Sequence, residues 1–513
     1  MPTHPPRPVP SRREPRSEQT RDAPTGPSLT AEQRRALAKV LRIPAVADEL
    51  GRRFERAGHE LHLVGGSVRD ALLGRLGDDL DFTTDATPDQ TLEILRGWAS
   101  TTWETGREFG TIGAQRRGGP KLEITTFRAE AYDGVSRNPV VRFGTSLVDD
   151  LSRRDFAINA MAVSLPGHDL IDPYGGRQDL LARVIRTPGR PESSFGDDPL
   201  RMLRAARFAA QLSFTVAPEV VAAMRAMAAD LDRITVERIQ VEFTKLLCGA
   251  DPVRGLRLLV DTGLADRFLP ELPGLRLAID EHAQHKDVYE HTLTVLRNAM
   301  ELEEDGPDLV LRLAALLHDI GKPATKAVGP DGRVSFHHHE VVGAKLAKQR
   351  LRALRFPKEI VNDVSELVLL HLRFYGYGRG EWTDSAVRRY VVDAGHLLGR
   401  LHKLTRSDCT TRNRRKAAAL QADYDALEAR IAQLAEQENL ARVRPDLDGN
   451  EIMRLLGIPP GPLVGQAWKY LKDLRLQGGP LDHDAAVAAL FAWARERGLD
   501  VPEAPDQGGE TGS

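Results

Sequence analysis

The spacing of apolar residues divides the chain into a mixed first part and a helical remainder. Apolar residues recur at helical intervals over 29–57, whereas short apolar or alternating runs over 61–64, 79–84 and 121–127 predict strands. From about residue 198 onward the pattern is almost wholly helical. The sequence therefore predicts an α+β head followed by a long α-helical body.

Composition narrows the class of protein. The 513 residues are 41% hydrophobic and 28% charged, and no apolar run is long enough to span a bilayer, so no membrane contact is predicted. Cys248 and Cys409 are the only cysteines, which favours a reducing, cytoplasmic location. The net charge of -2 does not indicate a nucleic-acid-binding protein, although a local basic surface is compatible with it. Residues 1–28 and 502–513 are predicted to be disordered, and 129–150 to form a loop.

Two carboxylates stand two residues apart in the second predicted strand. Asp79 and Asp81 share one face because side chains alternate along a strand, and so close a pair favours a cation between them. Mg²⁺ suits such oxygen ligands and completes its shell with phosphates and water. Gly65 and Gly66, just before a short helix, would let the backbone approach a triphosphate. An acidic turn beside an ordinary glycine loop is the alternative interpretation.

Two further residues are candidates for the same site. Arg69 could bind a phosphate or pair with Asp70. Glu123, in the third predicted strand, is a candidate third carboxylate, and a salt bridge to Arg128 is an equal alternative.

A second group of metal-ligand residues occurs in the helical part. His318 and Asp319 are adjacent at the end of an apolar helix, and further His and Asp residues occur on neighbouring predicted helices. Such a set can bind one or two divalent ions. A single His on a helix is more often a packed or surface residue. The candidate ligands are His291, His318, Asp319, His339, His371 and Asp408.

Five motifs follow one another between Gly65 and Leu247. They are GGSVRDALLGRLGDDLDFTTDATP, RRDFAINAMAV, IDPYGGRQDL, DDPLRMLRAARFAAQLSF and ERIQVEFTKLL. In this order they resemble the motifs of the nucleotidyltransferases that add CCA to tRNA 3′ ends, in the bacterial and eukaryotic branch. The resemblance implies a small polymerase-beta-like head with a mixed sheet, then a helical neck, an HD-type helical domain and a helical tail.

The resemblance also implies how a nucleotide is bound. Asp79, Asp81 and Glu123 would be catalytic, and Asp198 and Arg201, three residues apart on one helix face, would select the base of CTP or ATP. A helix N-terminus at which the helix dipole favours acidic residues, with Pro199 in its first turn, is the competing interpretation, and both can hold. Asp197 stands where the family usually has Glu. The implied nucleotide-binding residues are Gly65, Gly66, Arg69, Arg154, Asp155, Asn159, Asp198, Arg201, Arg204 and Arg207.

The order of the second ligand set resembles that of the HD superfamily of metal-dependent phosphohydrolases. The resemblance selects His339 rather than His337 or His338, because the ligand stands four residues before Gly343. It implies a divalent metal of unspecified identity and a phosphatase or 2′,3′-cyclic phosphodiesterase activity. Retention of the fold with a minor or absent hydrolytic substrate is the alternative.

The predicted function is template-independent addition of CCA to tRNA from CTP and ATP, with Mg²⁺ and release of pyrophosphate. The 129–150 loop favours complete addition, since enzymes of the family that add only CC are shortened there. A poly(A) polymerase and a CC-only or A-only enzyme are the rivals within the family. An RNA-binding HD phosphohydrolase with a silent polymerase site is the rival from another class.

The predicted domains and the predicted tRNA contacts complete this interpretation, and the oligomeric state stays open. The domains are a tail (1–28), the head (29–190), the neck (191–270), the HD-type domain (271–416), a tRNA-binding body and tail (417–501) and a disordered end (502–513). The basic residues expected to contact tRNA phosphates are Arg406, Arg412, Arg414, Arg415 and Lys416.

Overall fold

The computed structural model describes the greater part of the chain. Described are residues 41–128, 144, 146–277, 287–331, 334–374, 377, 382–411, 413–438 and 446–501. The predictions for the two tails, for Arg412 and for most of the 129–150 loop lie outside these residues. The chain divides into two compact units, Met1–Asp197 and Asp198–Ser513. The finer domain boundaries stay predictions.

The first unit contains a seven-stranded mixed sheet. The strands are β1 (Leu61–Val64), β2 (Asp79–Thr84), β3 (Thr101–Gly106), β4 (Thr111–Gln115), β5 (Lys121–Thr126), β6 (Ala162–Leu165) and β7 (Leu170–Ile171). Their order in the sheet is β3-β4-β5-β2-β1-β6-β7. Strands β2 and β5 are parallel, and the other neighbouring pairs are antiparallel. This mixed sheet confirms the predicted α+β head.

The alternation of side chains gives the central strands one apolar and one polar face. Leu80 and Leu122 are buried in the apolar core, which the helices on that side of the sheet complete. Asp79, Asp81 and Glu123 alternate with them and are exposed on the opposite face. The polar face therefore carries the candidate chemistry.

The helices of the first unit frame this sheet. The predicted loop over 129–150 is wrong at its end, because a helix begins at Leu147, where Ser146 Oγ accepts a hydrogen bond from the Asp149 N–H at 3.3 Å and caps it. The helices are Ala45–Arg56, Gly66–Leu72, Pro88–Leu95, Leu147–Ser152, Gly176–Ala182 and Pro191–Asp197, with 3₁₀ turns at Arg107–Phe109 and Ala157–Asn159 and a short strand β8 (Val184–Ile185).

The second unit is almost wholly helical, as predicted. Its helices are Leu200–Leu212, Pro218–Ala226, Val236–Leu247, Pro252–Asp261, Ala265–Phe268, Glu271–Gly274, Val288–Glu301, Leu309–Leu317, Lys322–Thr325, His339–Ala353, Lys358–Leu370, Asp384–Ala394, Leu398–Asp408, Arg414–Glu438, Gly449–Leu456, Pro462–Gly478 and His483–Arg495. Its 3₁₀ turns and short strands are Ala228–Arg233, Leu275–Leu277, Gly395–Leu397, β9 (Thr215–Val216), β10 (Ala327–Val328) and β11 (Val334–Ser335). Among the described residues, no helix is both long enough and apolar enough to cross a membrane.

Candidate active sites

Three candidate carboxylates lie together on the polar face of the sheet. Asp79 and Asp81 point to the same side of β2, and Asp81 is the direct partner of Glu123 in the parallel pairing of β2 with β5. No ion pair joins Glu123 to Arg128 in the part of the chain that the structure describes; Arg128 Nη2 instead donates to Thr111 Oγ1 at 3.2 Å. The arrangement favours the carboxylate-cluster interpretation of Glu123 over the salt-bridge alternative.

The electrostatics of Asp81 show that this cluster is rich in negative charge. Although Asp81 is exposed at the polar face, the protein atoms packed around its carboxyl exclude part of the water, and this desolvation raises the pKa of the carboxyl to about 6 from an ordinary value of 3.8. The charges of Glu123 and Asp79 act in the same direction, while Arg154 and Arg69 oppose them. A metal cation bound between these carboxylates would neutralise the repulsion that raises this pKa. The residues present therefore fit a divalent ion.

Ser67 fixes the backbone on which the paired carboxylates stand. The Asp81 N–H donates to Ser67 Oγ at 3.0 Å, and Ser67 Oγ is 3.5 Å from the carbonyl oxygen of Asp79. The side chain is buried, so these contacts are sheltered from water. The sequence analysis missed Ser67; its place directly after the two glycines was the available signal.

Of the two glycines, only Gly65 is required by the geometry. Its φ of +68° lies in the region that side chains disfavour, and a Cβ there would come within 2.7 Å of Arg154 Nη1. Gly66 begins the helix Gly66–Leu72, and a Cβ there would meet nothing nearer than Arg69 Nη2 at 3.5 Å. Gly65 therefore makes room for the Arg154 guanidinium beside the carboxylates.

Arg69 belongs to a buried polar network. Its guanidinium forms a two-point ion pair with Asp70 at 3.0 and 2.7 Å, and its Nη1 donates to Asn159 Oδ1 at 2.7 Å. Asn159 Nδ2 donates in turn to Asp155 Oδ1 at 2.9 Å. The network unites Arg69, Asp155 and Asn159, and Asp155 holds Asn159 in place.

Arg154 is the other guanidinium beside the carboxylates. Its Nη2 donates to Asp150 Oδ2 at 3.2 Å, and Asp150 is itself buried. One edge of the side chain is thus anchored, while Nη1 faces Gly65. This placement suits an anchored guanidinium that meets a phosphate.

In the second unit, Asp198 stands immediately before the helix Leu200–Leu212. Its Oδ1 accepts a hydrogen bond from the Leu200 N–H at 3.1 Å, and its Oδ2 accepts one from Arg238 Nη2 at 2.8 Å. The Arg201 N–H donates to the Asp198 carbonyl oxygen at 3.0 Å, which fixes the two residues in one turn. The helix-end interpretation of Asp198 is thus realised, and Arg238 is a neighbour that the sequence did not reveal.

Arg204 and Arg207 differ in their surroundings. Arg207 is buried, with Nε 2.6 Å from Glu242 Oε2 and its guanidinium 4.0 Å from the centre of the Phe208 ring. Arg204 is more open, and its nearest approach to Glu242 is 3.8 Å. Arg207 is therefore better placed to stabilise the helix Leu200–Leu212 than to bind the nucleotide directly.

All six candidate ligands of the second group meet in one cluster. They lie at the ends or inner faces of separate helices, so the fold and not the sequence spacing brings them together. Two sets of three side chains each place one ligand atom within 4.8 Å of the others. The sets are His291, His318 and Asp408, and Asp319, His339 and His371.

Asp319 lies between the two sets. Its Oδ2 is 3.2 Å from His318 Nε2 and 3.5 Å from His291 Nε2, whereas its Oδ1 is 3.3 Å from His339 Nε2. His291 Nε2 also lies 2.9 Å from Asp408 Oδ1. One carboxylate therefore faces both halves of the cluster, as a bridging ligand of two ions would.

The histidines present the same nitrogen to the centre. Nδ1 of His318, His339 and His371 is held by a backbone carbonyl three residues earlier, at 2.9, 2.8 and 2.6 Å. The Nε2 atoms of these three residues are buried and form no well-aligned hydrogen bond, although those of His318 and His339 lie 3.2 and 3.3 Å from the Asp319 carboxylate. Buried polar atoms rarely stay unpaired, and carbonyl-fixed histidines are usual around metals, so the cluster fits one or two divalent ions.

The charged groups of this cluster shift one another's pKa values. Burial acts to lower the pKa of His318, but Asp319 and Asp408 raise it to about 9. Burial together with the charge of His318 lowers the pKa of His371 to about 4. Burial opposes ionisation of Asp319, yet His318 and Lys322 hold the pKa of that carboxyl well below its ordinary value. The carboxylate is thus ready to bind a cation, and Lys322 Nζ, 2.8 Å from Asp319 Oδ2, is a neighbour that the sequence analysis missed.

The basic residues predicted to contact tRNA differ in whether they already form ion pairs within the protein. Arg406 pairs with Asp425 at 2.7 Å and with Glu428 at 3.1 Å. Arg414, Arg415 and Lys416 are exposed at the start of the helix Arg414–Glu438, whereas Arg412 lies outside the described residues.

Comparison with known families covers most of the chain. Residues 61–186 match the "Poly A polymerase head domain", 213–275 the "Probable RNA and SrmB- binding site of polymerase A" and 288–437 the "HD domain". An A-adding tRNA nucleotidyltransferase of Deinococcus radiodurans is 36% identical over 447 residues, which are 85% of this chain and 95% of that protein. The chain belongs to the tRNA nucleotidyltransferase family. The predicted resemblance and the predicted class of enzyme are confirmed.

Other relatives of the family match part or most of the chain. A CCA-adding enzyme of Levilactobacillus brevis is 46% identical over 212 residues, which are 41% of this chain and 52% of that protein. The crystal structure of the Bacillus stearothermophilus CCA-adding enzyme in complex with CTP has a TM-score of 0.63 and 26% identity, and it covers 89% of this chain and 99% of that one. The fold of the family is therefore shared along most of the chain.

Proposed function

We propose that the protein adds C, C and A to the 3′ end of tRNA, using CTP and ATP. The observation that carries this proposal is the group of Asp79, Asp81 and Glu123 on one open face of the sheet, beside Gly65 and Arg154. The choice of tRNA as the acceptor follows the names of the relatives. The choice of CTP as a substrate is supported by a related crystal structure that contains it.

Asp79 and Asp81, with Glu123 beside them, would hold Mg²⁺. When bound, the ion would neutralise developing negative charge at the transferred phosphate and lower the pKa of the attacking hydroxyl. Ser67 holds the backbone of the pair at Asp81, so that both carboxylates keep one register. Arg154, anchored on Asp150, is placed to bind a triphosphate oxygen in the space that Gly65 leaves.

The proposed reaction is a transfer of a nucleotidyl group. A bond forms between the 3′ oxygen of the RNA and the α-phosphorus, and the bond from that phosphorus to the bridging oxygen breaks, so pyrophosphate leaves. Glu123, the third carboxylate beside the ion, would accept the proton of the hydroxyl. Asp198 and Arg201, fixed in one turn, would hydrogen-bond the base edge, with Arg238 orienting Asp198.

Addition of A alone is the second candidate within the family. The relative that matches almost its whole length is named for A addition, whereas the Levilactobacillus brevis CCA-adding enzyme matches over about half of its own. The two activities use the same head chemistry and differ in which nucleotides are accepted.

The deciding experiment is primer extension with the purified full chain and Mg²⁺. Transcripts of one tRNA ending before CCA, after the first C and after both C residues would be offered CTP and ATP, singly and together. Addition of CCA followed by a stop is the expected result. Extension only of the transcript that already ends in CC would establish the A-adding enzyme, and a long A tail would establish a poly(A) polymerase. Asp79→Ala/Asp81→Ala protein is the inactive control.

We further propose that the HD-type cluster is a metal-dependent phosphohydrolase site. The buried Nε2 atoms of His318, His339 and His371 carry this proposal, because all three belong to the ligand cluster and none of them forms a well-aligned hydrogen bond. A bound metal would supply a nucleophilic water for attack on a phosphoester.

The test measures release of phosphate from p-nitrophenyl phosphate and opening of 2′,3′-cyclic AMP, with Mn²⁺, Ni²⁺ or Mg²⁺. His318→Ala/Asp319→Ala should abolish hydrolysis and keep nucleotide addition, the reverse of the Asp79→Ala/Asp81→Ala protein; loss of both activities in either variant contradicts two independent sites.

A cytoplasmic location completes the proposal. Cys248 and Cys409 are both free thiols. A reducing compartment preserves that state.

A further inference from the structure

An aromatic residue lies in line with the carboxylates on the polar face of the sheet. Asp81 pairs with Glu123, Glu123 pairs with Gly113 across β5 and β4, and Gly113 pairs with Trp103 across β4 and β3. Directly paired residues project to the same face of a sheet. Trp103 is therefore on the same face as the carboxylates, beyond Glu123.

Gly113 lets the Trp103 indole lie flat on the sheet. A Cβ at Gly113 would stand 1.9 Å from both Cε2 and Nε1 of Trp103 and 2.6 Å from Cδ1, so the ring covers the Gly113 backbone. Gly113 is buried between the half-buried Thr111 and Gln115 of the same face, and Trp103 is half-buried. Among the described residues, no ring stacks on Trp103 and no Arg or Lys covers it. One face of the indole is thus used by Gly113, and no ring or cationic side chain of the described residues covers the other.

The strand order decides which part of the reaction this ring would meet. The triphosphate anchors Gly65 and Arg154 lie on the β1 side of β2, whereas Glu123, Gly113 and Trp103 follow one another on the β5 side. In a phosphoryl transfer the attacking and leaving oxygens are in line on opposite sides of the phosphorus. With the triphosphate held at Gly65 and Arg154, the acceptor RNA would therefore approach from the side of Glu123 and Trp103.

We propose that Trp103 is a stacking platform for the base of the 3′-terminal nucleotide of the acceptor RNA. The proposal rests on the proposed function of the head. The terminal base of a tRNA changes after each addition, so a contact that serves every step must tolerate different bases. Stacking on an indole does so, because every base has a π-face, whereas hydrogen bonds to base edges would discriminate.

The test measures kcat and KM for each substrate with the full chain. Trp103→Ala should raise KM for tRNA between about 5-fold and about 100-fold, the range that base–aromatic stacking supplies, while KM for CTP or ATP stays within about twofold. Trp103→Phe should restore most of the affinity. Trp103→Leu should not, although its side chain still covers Gly113. Thr101→Ala is the matched control, since Thr101 is exposed on the same strand and the same face.

A modified substrate tests the same contact without changing the protein. A tRNA whose 3′-terminal residue is abasic should bind the unmodified protein as weakly as ordinary tRNA binds Trp103→Ala, and the two changes combined should add little. Additive effects, recovery in Trp103→Leu, or an equal rise in both KM values would overturn the platform. Failure of the unmodified protein to extend any tRNA would instead overturn the proposed function.

Discussion

Asp81 and Glu123 are direct partners across the parallel strands β2 and β5, with their carboxylates on one face. This pairing places two negative charges side by side and contributes to the raised pKa of Asp81, of which burial is the largest cause. The same pairing gives the proposed Mg²⁺ site its third carboxylate.

Mg²⁺ binding at this site should weaken below about pH 6. The raised pKa of about 6 means that Asp81 is protonated below that pH in the metal-free protein, and a proton must leave before the carboxylate binds the ion. The apparent affinity should therefore fall toward about tenfold per pH unit below pH 6 and be nearly constant above pH 7. The Mg²⁺ dependence of nucleotide addition, measured from pH 5 to 8, checks this. A transition near the ordinary Asp value would contradict it, and Arg154→Leu should move the transition to higher pH, because Arg154 lowers this pKa.

The two neighbouring glycines should respond differently to substitution. Gly65→Ala places a Cβ at a φ of +68° and within 2.7 Å of Arg154 Nη1, so the guanidinium must move. We expect KM for the nucleotide to rise about tenfold or more, with a loss of about 1 kcal/mol in unfolding free energy. Gly66→Ala is the matched control and should leave both nearly unchanged. Steady-state kinetics and urea unfolding measure the pair, and equal effects would show that the space at Gly65 is not what matters.

Of the three consecutive histidines, His339 should bind a metal ion, whereas His337 and His338 should not. His339 is buried with its Nε2 3.3 Å from Asp319 Oδ1, whereas His337 is exposed. With Mn²⁺ at about 100 times its dissociation constant, the native state should gain about 2.7 kcal/mol. His339→Ala should lose this gain and His337→Ala should keep it. Thermal unfolding with and without Mn²⁺ gives the gain for each variant, and a reversed order would move the ligand to His337.

Substitution of Arg207 should lower the unfolding free energy of the protein more than substitution of Arg204 does. Arg207→Ala leaves Glu242 buried without its 2.6 Å partner, so we expect a loss of about 3–5 kcal/mol in unfolding free energy. Arg204→Ala removes a more open pair at 3.8 Å and should cost less than about 1 kcal/mol. Chemical denaturation measures both. Native stability of Arg207→Ala combined with a raised KM for nucleotide would return Arg207 to the set of direct ligands.

The sequence by itself determined the class of fold and the candidate residues of both sites. A strand places residues two apart on one side, so Asp79 and Asp81 could be paired without a structure, and the order of the five motifs carried the family. The His and Asp residues from His291 to Asp408 were found as a set because their types and order are local properties of the sequence.

The tertiary structure decided what depends on register and burial. Glu123 joins Asp81 only because β2 and β5 pair in one particular register, and Trp103 joins the same row through two further pairings. The partners of Ser67 and Arg207 are set by packing between segments that are distant in the sequence. Periodicity reports which face of its own element a residue occupies. It does not report which residue of another element lies opposite, because that depends on how the whole chain packs.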